Sequence, residues 1–331
     1  MAARKSSSPK VNTGKPGRPA GGRNTNSGKG ARAAAGRAPS TGRSSSPRSA
    51  SSRNVVAREG GPRGRPIRNS DVRRSAPVAK GLGGEQIEGR QAVRELLIGQ
   101  RRKVKEIWIA QDIDPAAIIE DIEQLADAAR VTVVEVPRRK LEDTARSEAP
   151  QGIIAFAQPL EEVEFASLMK KRNGVMPFLV AVDGVTDPGN LGALLRCCDG
   201  AGVSGVILPK HRAVHVTPTV AKTSAGAIEH VPMCLVPGLP VAITQMRDKG
   251  IWVVGLDDDS ENTLFDIGKL ATEGICIVLG AEGSGLSRLV RDRCDTIVSI
   301  PMLGQVSSLN VSAAAALATY EVTRVRMAEQ A

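Results

Sequence analysis

An α/β fold on a mostly parallel sheet is predicted for residues 175–331, and three features of the sequence predict it. Short apolar runs alternate with segments of helical period. The runs are nearly continuous rather than alternating apolar and polar, the pattern of strands covered on both faces. Three of the runs end in loops of unusual composition, at the strand ends where ligands of such sheets bind.

In this region the predicted strands are FLVAVDGV, VSGVILPK, VPMCLV, IWVVGLD, ICIVLGAEG and TIVSIPM, and a long helix over 308–329 follows them. A smaller α/β unit is predicted over 85–160. EGRQAVRELLIGQ reads as a helix, VKEIWIA (104–110) as a strand and PAAIIEDIEQLADAAR as an amphipathic helix; VTVVEVP and QGIIAFAQ read as further strands. Residues 161–174, with the basic stretch Lys170, Lys171, Arg172, Asn173, Gly174, read as a linker.

Residues 1–84 differ from both units. They are Ser, Gly, Ala, Pro, Arg and Lys without an aromatic residue, which predicts a disordered tail. The tail holds 19 of the 45 Lys and Arg and two of the 35 acids, so residues 85–331 carry 26 bases against 33 acids. The basic charge of the chain belongs to the tail, which suits sequence-blind contact with phosphates. A solubilising extension and a transit peptide are the other readings of such a composition. No apolar run reaches the roughly 18 residues of a membrane span, and no apolar stretch behind the basic start marks a secretory signal. Cys197, Cys198, Cys234, Cys276 and Cys294 form no C-x-x-C pair, and His211, His215 and His230 add no zinc spacing. The expectation is a cytoplasmic protein with reduced thiols, no metal and no membrane contact.

The first of the three loops is DPGNLGALLR (187–196). Asn190 stands where a helix N-cap would, and Pro188 and Gly189 are turn residues. Arg196 lies among Leu194, Leu195, Cys197 and Cys198, where it either snorkels outward or points at an anion. The second loop, LGAEGSGLS (279–287), places the single acid Glu282 between Gly280, Gly283 and Gly285. Its spacing fits neither the dinucleotide fingerprint nor the triphosphate-binding loop. The third, IPMLGQVSSLNVSAAAAL (300–317), brings Ser308 and Asn310 to the start of the last helix; capping accounts for one of them. No histidine lies near these loops, which removes a Ser-His-Asp triad. His230 reads as a helix-end residue.

Together, and in this order, the three loops resemble the three motifs of the SpoU/TrmH family of SPOUT methyltransferases, which transfer a methyl group from S-adenosylmethionine to ribose 2′-hydroxyls in rRNA or tRNA. Asn190 and Arg196 match the first motif, Glu282 in GAEGSGLS the second, and Ser308 and Asn310 in SLNVSAAAA the third. The likeness covers about residues 175–325. The 85–160 unit resembles the small α/β substrate-binding domain, similar to a ribosomal protein, that precedes the catalytic domain in rRNA members of the family. Cys197 and Cys198 stand where Thr or Ser and Ala are frequent.

The resemblance implies a trefoil knot in the C-terminal part, an exception to the rule against knots. It implies a cofactor, S-adenosylmethionine, held bent in that knot by backbone groups of Gly280, Ile300 and Leu309. It also implies a homodimer with the site near the interface. By the same likeness Asn190 orients the ribose or holds the loop, Arg196 contacts the phosphate and the 2′-hydroxyl, and Glu282, Ser308 and Asn310 fix Arg196 and the substrate. The expected substrate is a guanosine of large-subunit rRNA, free or in a ribosomal precursor. The alternatives are a tRNA methyltransferase of the same family and a non-catalytic RNA-binding or ribosome-assembly protein.

Overall fold

The computed structural model describes residues 81–331 apart from 212 and 213; the predicted tail, up to residue 80, lies outside the described residues. The smaller unit runs β1 (Gln86–Glu88), α1 (Arg90–Gly99), β2 (Val104–Ala110), α2 (Ala117–Ala128), β3 (Thr132–Val136), α3 (Arg138–Thr144) and β4 (Ile153–Ala157). A short α4 (Phe165–Leu168) lies in the expected linker, which is docked: Val163 N donates to Met233 O at 2.9 Å. The larger unit runs β5 (Phe178–Val182), α5 (Pro188–Gly200), β6 (Gly205–Pro209), α6 (Pro218–Thr223), β7 (Met233–Val236), α7 (Leu239–Asp248), β8 (Trp252–Leu256), α8 (Gly268–Thr272), β9 (Ile275–Leu279), α9 (Arg288–Arg291), β10 (Thr296–Val298) and α10 (Val311–Gln330).

The larger sheet has the order β10-β8-β9-β5-β6-β7, and every pair is parallel. β5 and β9, at its centre, are buried at every residue, as their unbroken apolar runs require. From β5 the chain builds outward through β6 and β7, then returns to build β8, β9 and β10 on the other side. That reversal opens a crevice at the carboxyl ends of β5 and β9. The smaller sheet, β1-β4-β2-β3, is mixed; only β2 and β3 run parallel.

Three features depart from the sequence expectation. Residues 81–84, grouped with the tail by composition, are packed: Leu82 is buried, Val216 N donates to its carbonyl at 2.8 Å, and Leu160 N donates to Gly83 O at 2.9 Å. The predicted first helix is preceded by β1, a three-residue strand too short and polar to show an apolar period. α10 begins at Val311, so Ser308 lies in the loop before the helix.

The two units share one apolar core, with Ala92, Val93 and Leu96 of the smaller unit in the same cluster as Val220, Ala221 and Ile228 of the larger, and polar groups join them as well. Arg102 grips Glu229 with two nitrogens, Nε to Oε2 at 3.0 Å and Nη2 to Oε1 at 2.5 Å, and its Nη1 donates to Gly84 O and Gln158 O at 2.5 and 2.6 Å. The two side chains are 2% and 1% exposed. Around this pair, Arg101 donates to Glu229 O at 3.0 Å, and His230, at the end of a 3-10 turn as expected, meets Glu95 at 3.0 Å. At the far end of the chain Arg326 anchors α10 by donating to the carbonyls of Ala271, Met176, Pro177 and Glu273.

Candidate active site

At the start of α5 the N-cap is Asp187, not Asn190 as the sequence suggests. The Asp187 carboxylate accepts from Asn190 N at 2.7 Å, with Pro188 at the first helical position. Because Asp187 satisfies the helix end, the Asn190 side chain is released toward the crevice. Replacing Asp187 by Ala is expected to cost about 1 kcal/mol of stability and to lower turnover without changing the fold, checked by thermal unfolding and methyl-transfer assays.

Asn310 is the N-cap of α10. Its Oδ1 accepts from Ser312 N at 2.9 Å and from Ser312 Oγ at 2.6 Å. A backbone N–H can only donate, so this end of the amide is the oxygen. Nδ2 is then the donor, and it reaches Asn190 Oδ1 at 2.9 Å and Glu282 Oε1 at 2.7 Å. One amide thus joins loops from three strand ends. Asn190 Nδ2 and Glu282 Oε2 make no hydrogen bond among the described residues. The cluster therefore offers one donor and one anionic acceptor to a ligand.

The loop carrying Glu282 is closed on itself. Ala281 N donates to Gly285 O and Gly285 N to Ala281 O, each at 3.0 Å, while Gly283 and Gly285 adopt φ of 75° and 61°. Asp183, at the end of β5, accepts from Ser287 N at 2.7 Å and ties the loop to the sheet. Neither this anchor nor Asp257 was singled out by the sequence. Asp257 accepts from Leu286 N at 3.4 Å and pairs with Arg291 at 2.9 Å. An acid at a strand end, in IWVVGLD, was its one visible signal.

A cleft of about 590 Å³ lies here. Gly280, Glu282, Ile300, Ser308, Leu309 and Asn310 all line it. Asn190 and Arg196 are not among its walls. Asn190 adjoins it through its hydrogen bond to Asn310, whereas Arg196 is exposed on α5 and makes no hydrogen bond or ion pair with the described residues. Ser308 is exposed in the cleft wall and makes no hydrogen bond among the described residues.

The cleft fits S-adenosylmethionine in size and chemistry. Ligand sites run from about 300 to 1,000 Å³. Leu256, Leu279, Ile300 and Met302 supply apolar wall for a flat base, and Asp257, Asp258 and Glu282 supply negative charge for a sulfonium. Arg291 is the one base in the lining, and its guanidinium is held by Asp257 and by Asp259 O at 2.6 Å. Among the described residues that line the cleft, no free cation remains for a polyphosphate. Burial pushes the Cys197, Cys198 and Cys276 thiols up, and Cys234 and Cys294 up to about 12, which favours the protonated form of all five at neutral pH.

Comparison with known proteins agrees with this geometry. Residues 177–320 match the SpoU rRNA methylase family, and residues 86–163 match the RNA 2′-O ribose methyltransferase substrate-binding family. A protein of Staphylococcus haemolyticus assigned to the TrmH family of tRNA/rRNA methyltransferases is 42% identical over 244 residues, 72% of this chain and 95% of the relative. A Staphylococcus aureus protein of the same assignment is 42% identical over 245 residues, covering 72% and 96%. Among solved structures, the SpoU methyltransferase AviRb of Streptomyces viridochromogenes in complex with S-adenosylmethionine superposes with a TM-score of 0.61 at 26% identity, over 73% of this chain and 90% of its own. An RNA 2′-O ribose methyltransferase gives 0.61 at 26% identity, over 73% and 88%. The chain belongs to the SpoU/TrmH family and is an S-adenosylmethionine-dependent RNA 2′-O-ribose methyltransferase.

Proposed function

We propose that the enzyme methylates a guanosine ribose of large-subunit rRNA, in free RNA or in a ribosomal precursor, and that it works as a homodimer. The observation that carries the assignment of the site is the Asn310 amide, bonded at once to Asn190 and Glu282 at the mouth of the cleft. Residues 86–163 match the RNA 2′-O ribose methyltransferase substrate-binding family, and the resemblance of this unit to the small domain that precedes the catalytic domain in rRNA members favours rRNA over tRNA.

S-adenosylmethionine supplies, when bound, a methyl group already activated on a sulfonium sulfur. What remains for the protein is to place the 2′-hydroxyl in line and to favour its ionised form. In this reading Gly280, Ile300 and Leu309 hold the cofactor by their backbones, in a trefoil knot formed by the loops 280–287 and 300–310. Asn190 Nδ2 donates to the ribose, Glu282 and Asn310 keep the loops in register, and the unengaged Ser308 hydroxyl is left to bond the substrate. Arg196 stabilises the developing alkoxide and the adjacent phosphate; a guanidinium keeps its charge throughout and is a poor base.

The position of Arg196 supports the dimer. It stands one turn from Gly200 on α5, and the Tyr320 hydroxyl of α10 covers Gly200. Leu317, Tyr320 and Met327 of α10 are exposed, and Leu303 and Val306 before it are 98% and 68% exposed. A second copy seated on this apolar surface would bury it and enclose Arg196.

Arg196→Ala is expected to lower turnover by about 10²–10³-fold with S-adenosylmethionine affinity unchanged, measured by methyl transfer beside calorimetric binding. Near-normal turnover would remove the role. The substrate is tested by mapping ribose methylation in cells lacking the gene and complemented with wild type or Asn190→Ala. One large-subunit mark restored by wild type alone supports the proposal. A tRNA mark moves the substrate, and no lost mark leaves the rRNA assignment without support.

A further inference from the structure

We infer that Asp183 is a positioning residue for methyl transfer. From the root of the loop that carries Asn190, it grips the exit of the loop that carries Glu282, and so sets the separation of those two side chains. The role rests on the parts proposed above for Asn190 and Glu282; the grip itself rests on the following geometry.

Asp183 and Asp257 stand at one height on either side of the loop 280–287. β9 lies between β8 and β5 in the sheet, and its last residue, Leu279, is in register with Leu256 on one side and Val182 on the other. Asp257 and Asp183 are the residues that follow those two. Their carboxylates reach consecutive backbone amides of the loop: Leu286 N donates to Asp257 Oδ2 at 3.4 Å, and Ser287 N to Asp183 Oδ2 at 2.7 Å. A bond that short to a charged acceptor is roughly twice as strong as a neutral one. The Asp257 contact is longer, and that carboxylate also serves Arg291 at 2.9 Å and Asp259 N at 3.2 Å. Asp183 therefore bears the greater share of the grip.

The gripped loop responds as a unit. Residues 281–285 are closed by the two hydrogen bonds between Ala281 and Gly285, so a shift at Leu286 and Ser287 tilts the whole turn and displaces Glu282. The loop of Asp183 touches the other end of that turn as well: a Cβ added at Gly184 would stand 3.4 Å from Ala281 Cβ. Three residues further on, Asp187 starts α5 and holds Asn190 N. The chain leading to Asn190 thus meets the Glu282 loop at both ends. Asn310 bonds Asn190 and Glu282 through one side-chain nitrogen, which can follow either loop if it moves. Asp183 sets the frame in which that amide closes.

Two observations separate this role from that of an ordinary loop anchor. Asp183 does not line the cleft, so its carboxylate has no cofactor atom to serve and acts on the reaction through the loop. Its own N–H already donates to Leu279 O at 2.7 Å, so the strand end is held without the side chain. What the side chain adds is the registration of one site loop on another, and a misplacement of about 1 Å at a reacting centre costs about 10²-fold in rate.

The test uses variants of the full chain, assayed with S-adenosylmethionine and total RNA from cells lacking the gene. Asp183→Ala should lower kcat at saturating cofactor about tenfold or more, with a much smaller change in calorimetric cofactor affinity. Asp183→Asn keeps an acceptor oxygen for Ser287 N and should recover most of the turnover. Ser287→Pro removes the same bond from its other end, at a φ of −62° that proline adopts. It should lower kcat as Asp183→Ala does, and the double variant should go no lower. In a Glu282→Ala background, Asp183→Ala should lower kcat by less than about twofold, because its effect passes through Glu282. Should Asp183→Ala fail to fold, Ser287→Pro decides in its place. Near-normal kcat in either variant, or losses that multiply in full with Glu282→Ala, overturn the positioning role. Normal kcat in Glu282→Ala itself overturns the reading of the site and this role with it. A loss there beside normal kcat in Asp183→Ala overturns this role alone.

Discussion

Gly280→Ala is expected to abolish S-adenosylmethionine binding. A Cβ at this position would stand 2.3 Å from Gly285 C, 2.4 Å from Gly285 O and 2.6 Å from Leu286 N. All three are backbone atoms, so no rotamer change relieves the contact. They also belong to the turn closed by the paired hydrogen bonds between Ala281 and Gly285. Making room means opening that turn, and its residues 280–285 form one wall of the cleft. Overpacking of this kind costs about 1–3 kcal/mol or more, and the wall loses its shape along with the stability. Calorimetric titration should show affinity reduced beyond about 100-fold, in line with a loss near 3 kcal/mol, with a lower thermal midpoint. Gly238→Ala, away from the cleft, serves as the control. Its added Cβ meets nothing closer than Pro240 Cδ at 4.0 Å, and affinity should stay at the wild-type value.

Arg102→Leu is expected to give the largest loss of stability among single changes in the described residues, about 3–5 kcal/mol. The substitution strands the Glu229 carboxylate, 1% exposed, with the loss of both its side-chain hydrogen bonds, and removes the donor to Gly84 O and Gln158 O. For a body of this size that is on the order of 10 °C in thermal midpoint. The double variant Arg102→Leu/Glu229→Leu removes the stranded charge and should recover more than half of the loss. The remainder reflects the two carbonyls, each worth roughly 1–3 kcal/mol when buried without a donor. Urea titration of the wild type, both single variants and the double variant measures the coupling directly. If the double variant is no more stable than Arg102→Leu, the pair is not the element that holds the junction.

The strand run of the larger unit was legible because it needs no partner to be recognised. FLVAV and ICIVL are unbroken apolar segments, and both became fully buried central strands. The meeting of Asn190, Glu282 and Asn310 was legible for a different reason: polar clusters at strand ends had no structural use that accounted for all of their residues, whereas nothing in the sequence placed Arg196 outside the cleft. The elements that escaped are those whose meaning lies in a distant residue. β1 shows no apolar period, and its Glu88 and Gln86 are buried only because donors at Ser147 and Arg146 and the carbonyl of Thr144 lie nearly sixty residues away. Arg102 sits in QRRKVK, a stretch that reads as solvated surface, and its partner is 127 residues away. Asp187 and Asn190 are both good caps. Which of them caps is decided by the need of Asn310, far along the chain, for an acceptor. The left-handed Ala149 and Gln151 carry no residue-type signal at all.

The single amide of Asn310 has a consequence for the timing of activity. Its oxygen starts α10 and its nitrogen joins the loops after β5 and β9, so the helix end and the active site are one structural event. Every strand of the sheet precedes this residue in the chain. During synthesis the parallel sheet can therefore form, and the cleft can take its outline, while the enzyme is still inert. The chain becomes competent to modify RNA only after the segment beyond residue 310 has emerged and coiled, which separates the making of the enzyme from its first turnover.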